Sequence, residues 1–233
     1  INADAVRGAG IWKSTDHGLT WSIMLGTESF WNVSKVICDK FGNLYVACNA
    51  LSNNKGLQRM IKSTGTWTEI TPSGLDKRVT DMILSSTGKL HISCGYYNTA
   101  TASAGYRFTA NPETVTPTTW TSPLTTFTTQ YNVALASKGD TLYALPSDAA
   151  WGVPKIFKSV NGGLNWAATA STPAFTSGQA WYCMAVAVDP KNANNVIVGS
   201  LDCYKTTNGG STWTKISNWV GTTGQYVHAD QQI

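Results

Sequence analysis

A short apolar stretch, a turn of Gly, Asp or Asn, and a second apolar stretch recur along the chain. The pattern appears four times, as VICDKFGNLYVAC (36–48), MILSSTGKLHISC (82–94), VALASKGDTLYAL (133–145) and AVAVDPKNANNVIVG (185–199). β-branched and aromatic residues on both sides of turn residues predict antiparallel hairpins. No segment shows the 3.6-residue periodicity of a helix.

A second hairpin pattern surrounds an eight-residue phrase that ends in Trp. The phrase reads STDHGLTW (14–21), SVNGGLNW (159–166) and TTNGGSTW (206–213), and it is degraded in KSTGTW (62–67) and TVTPTTW (114–120). The closing residues Trp21, Trp67, Trp120, Trp166 and Trp213 are 46, 53, 46 and 47 residues apart. A unit of about 47 residues, present five times, is a period typical of repeat architectures.

Two hairpins in each unit predict an all-β fold, a β-propeller built of four-stranded antiparallel blades. We assign residues 1–233 to a single propeller domain or segment and expect the first hairpin of each unit to supply the inner strands. The chain begins on an outer hairpin and stops on the first strand of a further unit. We therefore expect a fragment of a ring of about six to eight blades, with a small closed ring as the alternative.

The repeated phrase has the chemistry of a turn. We expect the Asp16 carboxylate to accept hydrogen bonds from backbone N–H groups two and three residues on, and Gly18 to adopt positive φ. Trp21 should then pack between neighbouring sheets. Asn161 and Asn208 replace the Asp, and an amide oxygen can accept the same bonds, so the phrase is structural. Its residues are Ser14, Asp16, Gly18, Trp21, Ser159, Asn161, Gly163, Trp166, Thr206, Asn208, Gly210 and Trp213.

The pattern S-x-D-x-G-x-T-W resembles the Asp box of the BNR, or sialidase-type, repeat over essentially the whole chain. It is similar to the repeats of sialidases, family 74 xyloglucanases and sortilin-type receptor propellers. The resemblance implies that the Asp box lies on the outer edge, away from an active centre. The ending GQYVHADQQI also resembles a VHADQH segment of large secreted propeller proteins of Bacteroidetes, although Gln232 stands where that pattern has His.

The chain lacks residues that the resemblance implies for a sialidase, which argues against sialidase activity. That family uses three Arg to hold a substrate carboxylate, a Tyr nucleophile with a Glu, and an F/Y-R-I-P start. This chain has four Arg, three Glu and no F/Y-R-I-P segment. It also has no nucleophile elbow, phosphate-binding Gly loop or HExxH motif.

Propellers bind ligands near the central channel, where the innermost strands begin. Aligning those strands by their apolar pattern places Lys35, Asp81, Asn132 and Ala185 at equivalent points. The only carboxylates near this rim are Asp81 and Asp230, and a glycosidase would need them about 5 to 10 Å apart. We favour the interpretation that Asp81 caps a loop and that Asp230 accepts backbone hydrogen bonds.

Aromatic residues near the same rim could stack on the faces of sugars. The predicted ligand-binding residues are Trp31, Tyr131, Asn132, Trp181 and His228, and Trp151 and Trp219 also fall in or near loops. The insertions NALSNNKGLQ, GYYNTATASAGY and PSDAAWGVP lengthen one side of the arc, and loops on a rigid scaffold commonly carry recognition.

Composition narrows the class of partner. Hydrophobic residues make up 42% and charged residues 13% of the chain, and the net charge of +4 comes from Lys and Arg spread singly, which argues against nucleic acid. No apolar run is long enough for membrane insertion. Five Cys lack metal-ligand spacing, so we predict no metal, no cofactor and mostly buried free thiols. Residues 1–10 do not resemble a signal peptide, so an export signal would lie outside this segment.

Three functions fit these observations. The favoured one is a non-catalytic propeller segment of a secreted or cell-surface bacterial protein, within a larger multidomain protein or assembly, that binds glycan or protein through its loops. The first alternative is part of a xyloglucanase-like glycoside hydrolase with paired Asp carboxylates. The second is a sortilin-like peptide-binding propeller.

Overall fold

A computed structural model describes residues 8–49, 54–95, 103–127, 131–220 and 226–228. Within these ranges the chain forms β-strands and no α-helix, in agreement with the all-β prediction. The strands are β1 (Trp12–Lys13), β2 (Ser22–Ile23), β3 (Val33–Cys38), β4 (Leu44–Cys48), β5 (Leu57–Met60), β6 (Trp67–Glu69), β7 (Val79–Leu84), β8 (Leu90–Cys94), β9 (Gly105–Thr109), β10 (Val133–Lys138), β11 (Thr141–Pro146), β12 (Phe157–Ser159), β13 (Ala167–Ala168), β14 (Ala185–Val188), β15 (Val196–Gly199), β16 (Cys203–Thr206) and β17 (Thr214–Lys215).

The strands form one hairpin and four successive sheets, and every strand pair is antiparallel. The hairpin is β1–β2, and the sheets follow chain order as β3–β6, β7–β9, β10–β13 and β14–β17. Each sheet is a propeller blade, and the phrase hairpin forms the outer pair of the three four-stranded blades.

The blade β7–β9 has three strands, where four were predicted. Its outer position is reduced to a bridge in which Phe108 and Thr121 exchange backbone hydrogen bonds of 3.1 and 2.9 Å. Pro117 and Pro123 flank this bridge, and neither has an N–H group to extend the ladder. The unit that lost the Gly of its phrase has therefore also lost a regular outer strand.

The hydrophobic core lies between consecutive blades. Separate clusters join the hairpin to the first blade and each blade to the next, with Tyr45, Tyr106 and Tyr143 among the largest fully buried side chains. β11 is buried at almost every position because a blade covers each of its faces, whereas β3 alternates between half-buried and exposed residues. The long apolar runs of the inner strands follow from this two-sided burial.

The Trp residues that close the phrases join neighbouring units, as predicted, except at Trp21. The indole N–H groups of Trp67, Trp120 and Trp213 donate to backbone carbonyls of the preceding unit, at Leu25, Ile70 and Ser171 respectively. Trp166 is buried against Tyr106 and Phe127. Trp21 is 59% exposed.

The cysteines are all free, and Cys48, Cys94 and Cys183 are buried as predicted. Cys38 is exposed and Cys203 is half-buried, so the prediction is wrong for Cys38. In the described ranges, no helix has the length and apolar character required to cross a membrane.

Candidate ligand-binding site on the loop face

The inner strands begin around a small cavity of about 110 Å³ at the centre of the arc. Residues near the start of β3, β7, β10 and β14 line this cavity. They include Ser34, Lys35, Thr80, Asp81 and Ala185. The hydroxyls of Ser34 and Thr80 each donate to a backbone carbonyl of the paired strand in their own blade, and Ser34 also donates to a carbonyl of the next blade. The inner rim is therefore a fixed polar lining.

Asp81 holds three blades together at this rim. Its carboxylate accepts a 2.7 Å hydrogen bond from the Lys35 ammonium and 2.7 and 2.8 Å bonds from the N–H groups of Leu135 and Met82. The side chain is 14% exposed. Burial raises the pKa of the Asp81 carboxyl, and the adjacent Lys35 opposes this shift. These contacts give Asp81 a structural role between β3, β7 and β10.

The alignment of rim residues is correct for Lys35 and Asp81 and wrong for Asn132. A β-bulge precedes Lys35 in β3 and Asp81 in β7, and β10 has no such irregularity. By strand register the equivalent of Lys35 and Asp81 in β10 is Ala134, two residues after Asn132. The apolar pattern misplaced Asn132 because a shift of two residues along a strand leaves the alternation of apolar and polar side chains unchanged.

The proposed carboxylate pair stays a prediction, since Asp230 falls outside the described residues. Among the described residues that line the rim cavity, Asp81 is the sole carboxylate. A glycosidase requires a second acidic group across the scissile bond. The described part of the rim alone therefore lacks the two groups of a glycosidase.

The repeated phrase forms the same hydrogen-bonded turn in all three intact copies. In the first, Ser14 donates to Asp16, Gly18 N–H donates to the Ser14 hydroxyl at 2.7 Å, and Thr20 N–H donates to Asp16 at 2.9 Å. Gly18 has a φ of 89°, as predicted. The prediction that the Asp16 carboxylate bonds N–H groups two and three residues on is wrong, because the Ser hydroxyl takes the N–H of Gly18 and the carboxylate takes that of Thr20.

The copies with Asn confirm that the phrase needs an oxygen acceptor and no charge. Asn161 accepts from the N–H of Asn165 at 2.9 Å, and Asn208 accepts from that of Thr212 at 3.0 Å. Ser159 and Thr206 again bond the N–H of the glycines, Gly163 and Gly210. The phrase is a hydrogen-bonded turn in all three copies.

Four aromatic residues lie in the segments that precede β10 and β14 and in the β11–β12 loop. Tyr131 and Trp151 meet edge to face, with ring centroids 5.1 Å apart and an interplanar angle of 77°. Trp181 and Tyr182 lie 5.3 Å apart and are 42% and 51% exposed. We call Tyr131, Trp151, Trp181 and Tyr182 the aromatic rim.

Backbone hydrogen bonds fix the loops that carry these rings. Ala180 N–H donates to the carbonyl of Trp151 at 2.9 Å, and the Asn132 amide donates to the carbonyl of Ala180 at 3.1 Å. Asp148 accepts from the N–H groups of Ala150 and Gly152. These contacts join three loops from two neighbouring blades into one surface.

Trp151 adopts a left-handed conformation with a φ of 60°, which is uncommon for an aromatic residue. Ser177 in the adjoining loop has a φ of 43°. Non-Gly residues in this region cost roughly 1 kcal/mol or more and tend to occur at functional sites. The surrounding loop bonds hold Trp151 in this conformation and set its ring against Tyr131.

A cavity of about 340 Å³ opens beside the aromatic rim. Tyr131, Pro146, Pro154 and Phe157 line it, together with the charged residues Asp148 and Lys155. Apolar walls with a few polar groups are typical of small-ligand sites.

The structure brings together only part of the predicted binding set. Tyr131, Asn132 and Trp181 lie in one surface, whereas Trp31 precedes β3, on the far side of the blade β7–β9. His228 is exposed after the last blade. Sequence reasoning missed Tyr182, although it stands shortly before β14 much as Tyr131 stands before β10.

No protein-family model and no curated protein matches the chain. Solved structures do. A GH74 xyloglucanase from Xanthomonas campestris is 19% identical with a TM-score of 0.61, and the match covers 87% of this chain and 34% of that one. The Hadza microbial sialidase Hz136 is 16% identical with a TM-score of 0.53, covering 88% and 50%. YCF48 bound to D1 peptide is 16% identical with a TM-score of 0.53, covering 88% and 59%.

These similarities confirm the β-propeller fold that the Asp-box repeat predicts. The chain spans between about a third and three fifths of the length of these three proteins. A hydrolase, a sialidase and a peptide-bound protein share the fold, so the fold leaves the function open.

Proposed function

We propose that this propeller segment is a non-catalytic recognition module that binds a glycan at the aromatic rim. The observation that carries the proposal is the gathering of four aromatic rings from three loops into one fixed surface. Trp151 and Tyr131 meet edge to face, and Trp181 and Tyr182 form a second, solvent-exposed pair of rings. A surface that is already in position loses little entropy on binding.

A sugar suits this surface because it has both apolar faces and a ring of hydroxyl groups. Aromatic rings with one face in solvent can cover the apolar face of a pyranose. Asn132, Asp148 and Gln179 lie in the same loops and supply amide and carboxylate groups for hydroxyls.

We propose a non-catalytic role because of the environment of Asp81. Its carboxylate is occupied by Lys35 and two backbone N–H groups, which leaves little capacity to act on a substrate. The xyloglucanase-like alternative requires a second carboxylate such as Asp230.

A peptide is the second candidate ligand, and one observation favours it. YCF48, a propeller of similar fold, was solved with a peptide bound. Peptide side chains could enter the cavity beside Tyr131, which has mostly apolar walls. The sortilin-like alternative belongs to this class.

Recognition of either ligand is consistent with the secreted or cell-surface bacterial location that we propose, as part of a larger protein.

The proposal is tested by glycan-array screening and calorimetry on the 233-residue chain, beside Trp181→Ala and Tyr182→Ala. We expect a glycan to bind and each change to weaken its affinity about tenfold, or about 1.4 kcal/mol. Phe41→Ala is the matched control, because Phe41 is 63% exposed at the opposite end of the β3–β4 hairpin. The control should bind unchanged.

Two results would overturn the proposal. Binding of peptides from a random library, with no glycan bound and with affinity lost in the two variants, would assign the rim to proteins. Hydrolysis of xyloglucan that is abolished by Asp81→Asn would replace recognition by catalysis.

A further inference from the structure

The cavity beside the aromatic rim is lined by residues of two kinds. Its apolar residues are Tyr131, Pro146, Pro154 and Phe157, and its charged residues are Asp148 and Lys155. Proline has no backbone N–H group, so the two prolines offer a ligand apolar contact and no donor. The Phe157 ring packs against Phe127, with ring centroids 5.4 Å apart, which holds it in place.

Several polar groups of the lining are already used by the protein. Ser147 is buried, and its N–H and its hydroxyl both donate to the carbonyl of Asn132, at 2.8 and 3.0 Å. Oδ1 of Asp148 accepts hydrogen bonds from the N–H groups of Ala150 and Gly152, at 3.0 and 2.9 Å. These bonds fix the loop, and a ligand has to use other groups.

Two groups of opposite charge remain available. Among the described residues, none donates a hydrogen bond to Oδ2 of Asp148, and none forms a hydrogen bond or an ion pair with the ammonium group of Lys155. Asp148 is half-buried and Lys155 is exposed. A carboxylate only accepts hydrogen bonds and an ammonium group only donates them. The cavity therefore offers one acceptor and one donor together with apolar side chains.

We propose that this cavity binds the acetamido group of an N-acetylated sugar, an inference that rests on the proposed binding of a glycan at the aromatic rim. An acetamido group has one N–H donor, one carbonyl acceptor and one methyl group. The N–H would donate to Oδ2 of Asp148, and the carbonyl would accept from Lys155. The methyl group would lie against the prolines and Phe157, away from water.

Other substituents of a sugar match the cavity less well. A hydroxyl group could bond to either charged residue, but it brings no apolar atoms to the prolines and Phe157. A free amino group could bond to Asp148, but its positive charge would be repelled by Lys155. The volume of about 340 Å³ is near the lower end of the range of small-ligand sites, which suits one sugar unit with its substituent.

The test compares chitotetraose, its fully deacetylated form and cellotetraose, which share one linkage and differ in one substituent on each sugar. Calorimetry on the 233-residue chain gives the affinity for each. We expect chitotetraose to bind at least about tenfold more tightly than the other two. Because the three backbones are the same, this ratio isolates the contribution of the acetamido group.

Asp148→Asn changes one polar group and keeps the loop. The amide oxygen can accept from Ala150 and Gly152 as Oδ1 does, while the NH₂ group replaces Oδ2 and meets the N–H of the ligand as a second donor. The preference for chitotetraose over cellotetraose should fall about tenfold. Lys155→Met should lower the preference in the same direction. Lys191→Met, an exposed change in the β14–β15 turn, is the matched control and should preserve it.

Trp181→Ala distinguishes the acetamido contact from glycan binding in general. Trp181 is not among the described residues that line the cavity, so its loss should weaken both oligosaccharides by the same factor and leave the preference unchanged. A chain that binds glycans without preferring chitotetraose, or a preference that survives both Asp148→Asn and Lys155→Met, would overturn the acetamido site and leave the proposed function standing. A chain that binds no glycan at all would overturn the proposed function, and the acetamido site with it.

Discussion

The phrase of the first hairpin and the phrase at residues 159–166 have the same turn and opposite surroundings. In both phrases the N–H of the glycine donates to the Ser hydroxyl. The side-chain oxygen of Asp16 or Asn161 accepts a hydrogen bond from the N–H of the residue four positions later. Both direct the Trp indole N–H to the glycine carbonyl at 3.1 Å. Yet Trp21 is mostly exposed and Trp166 is buried against Tyr106 and Phe127.

The comparison separates what the phrase does by itself from what its neighbour adds. The turn forms without a covering blade, since its hydrogen bonds all lie within a few residues. Stabilisation by the Trp requires the preceding blade, because burial needs a partner surface. Changes made at matched positions of the two phrases can measure each contribution.

The largest difference is expected on truncating the two Trp residues. Trp166→Ala removes a buried ring from between two blades and should lower the free energy of unfolding by about 3–5 kcal/mol. Trp21→Ala should cost less than about 1 kcal/mol in dilute solution, because the ring is mostly in water. Urea unfolding of both variants checks this, and equal losses would contradict the comparison.

A second difference concerns pH, through a histidine beneath the covered phrase. The His91 ring is fully buried, its Nδ1 lies 2.7 Å from the Tyr106 hydroxyl, and burial lowers its pKa to about 3. The unfolded chain binds a proton near the ordinary pKa of 6.5, so this contribution to stability is complete above pH 6.5 and is lost as pH falls towards 3.

The expected loss attributable to His91 is about 3 kcal/mol between pH 6.5 and pH 4. Urea unfolding across this range should show a shallower pH dependence for His91→Gln than for the unaltered chain. His17→Gln, an exposed change in the first phrase, is the matched control and should keep the full dependence. Identical slopes for His91→Gln and the unaltered chain would refute the assignment.

Replacing the phrase glycine by Ala should give a smaller difference in the free energy of unfolding between the two phrases. Gly18 and Gly163 both have positive φ, so Ala costs about 1 kcal/mol at either position. A Cβ at Gly163 would also come within 1.8 Å of the Tyr106 hydroxyl, while at Gly18 it meets only the Trp21 ring at 3.9 Å. Gly163→Ala should therefore cost about 2 kcal/mol more than Gly18→Ala. Thermal unfolding measures the gap, and its absence would mean that Tyr106 moves aside freely.

The smallest effect is expected from exchanging the acceptor within each phrase. Asp16→Asn and Asn161→Asp keep an oxygen in place for the N–H four residues on, so each should change stability by less than about 0.5 kcal/mol. Asp16→Ala, which removes that oxygen, should cost about 1 kcal/mol. If Asp16→Asn costs as much as Asp16→Ala in urea unfolding, the charge matters and the equivalence of Asp and Asn is wrong.

The repeat was readable from sequence because its turn residues and Trp recur at a fixed spacing. The strand hairpins followed from β-branched residues around Gly, Asp and Asn, and the sheets β3–β6, β10–β13 and β14–β17 match them. Four strands were predicted in every unit, and the structure shows a three-stranded blade in the unit of Trp120. The rim alignment failed at Asn132, because a shift of two residues along a strand leaves the alternation of apolar side chains unchanged.

The aromatic rim could be anticipated only in part. Tyr131 and Trp181 stood out as aromatic residues before inner strands, but their meeting with Trp151 depends on a loop from another strand of the blade. The left-handed conformation of Trp151 arises from bonds within residues 148–152 and across to Ala180. Contacts between segments about thirty residues apart leave no periodic signal in sequence.

By itself, the sequence determined the turns, the strands and the order of the blades, since these depend on interactions between residues close along the chain. The tertiary structure decided which Trp is buried, which carboxylate forms an ion pair with Lys35, and which aromatic rings share a surface. Those outcomes depend on what packs against each blade. Burial is a property of two surfaces, and a local pattern specifies only one of them.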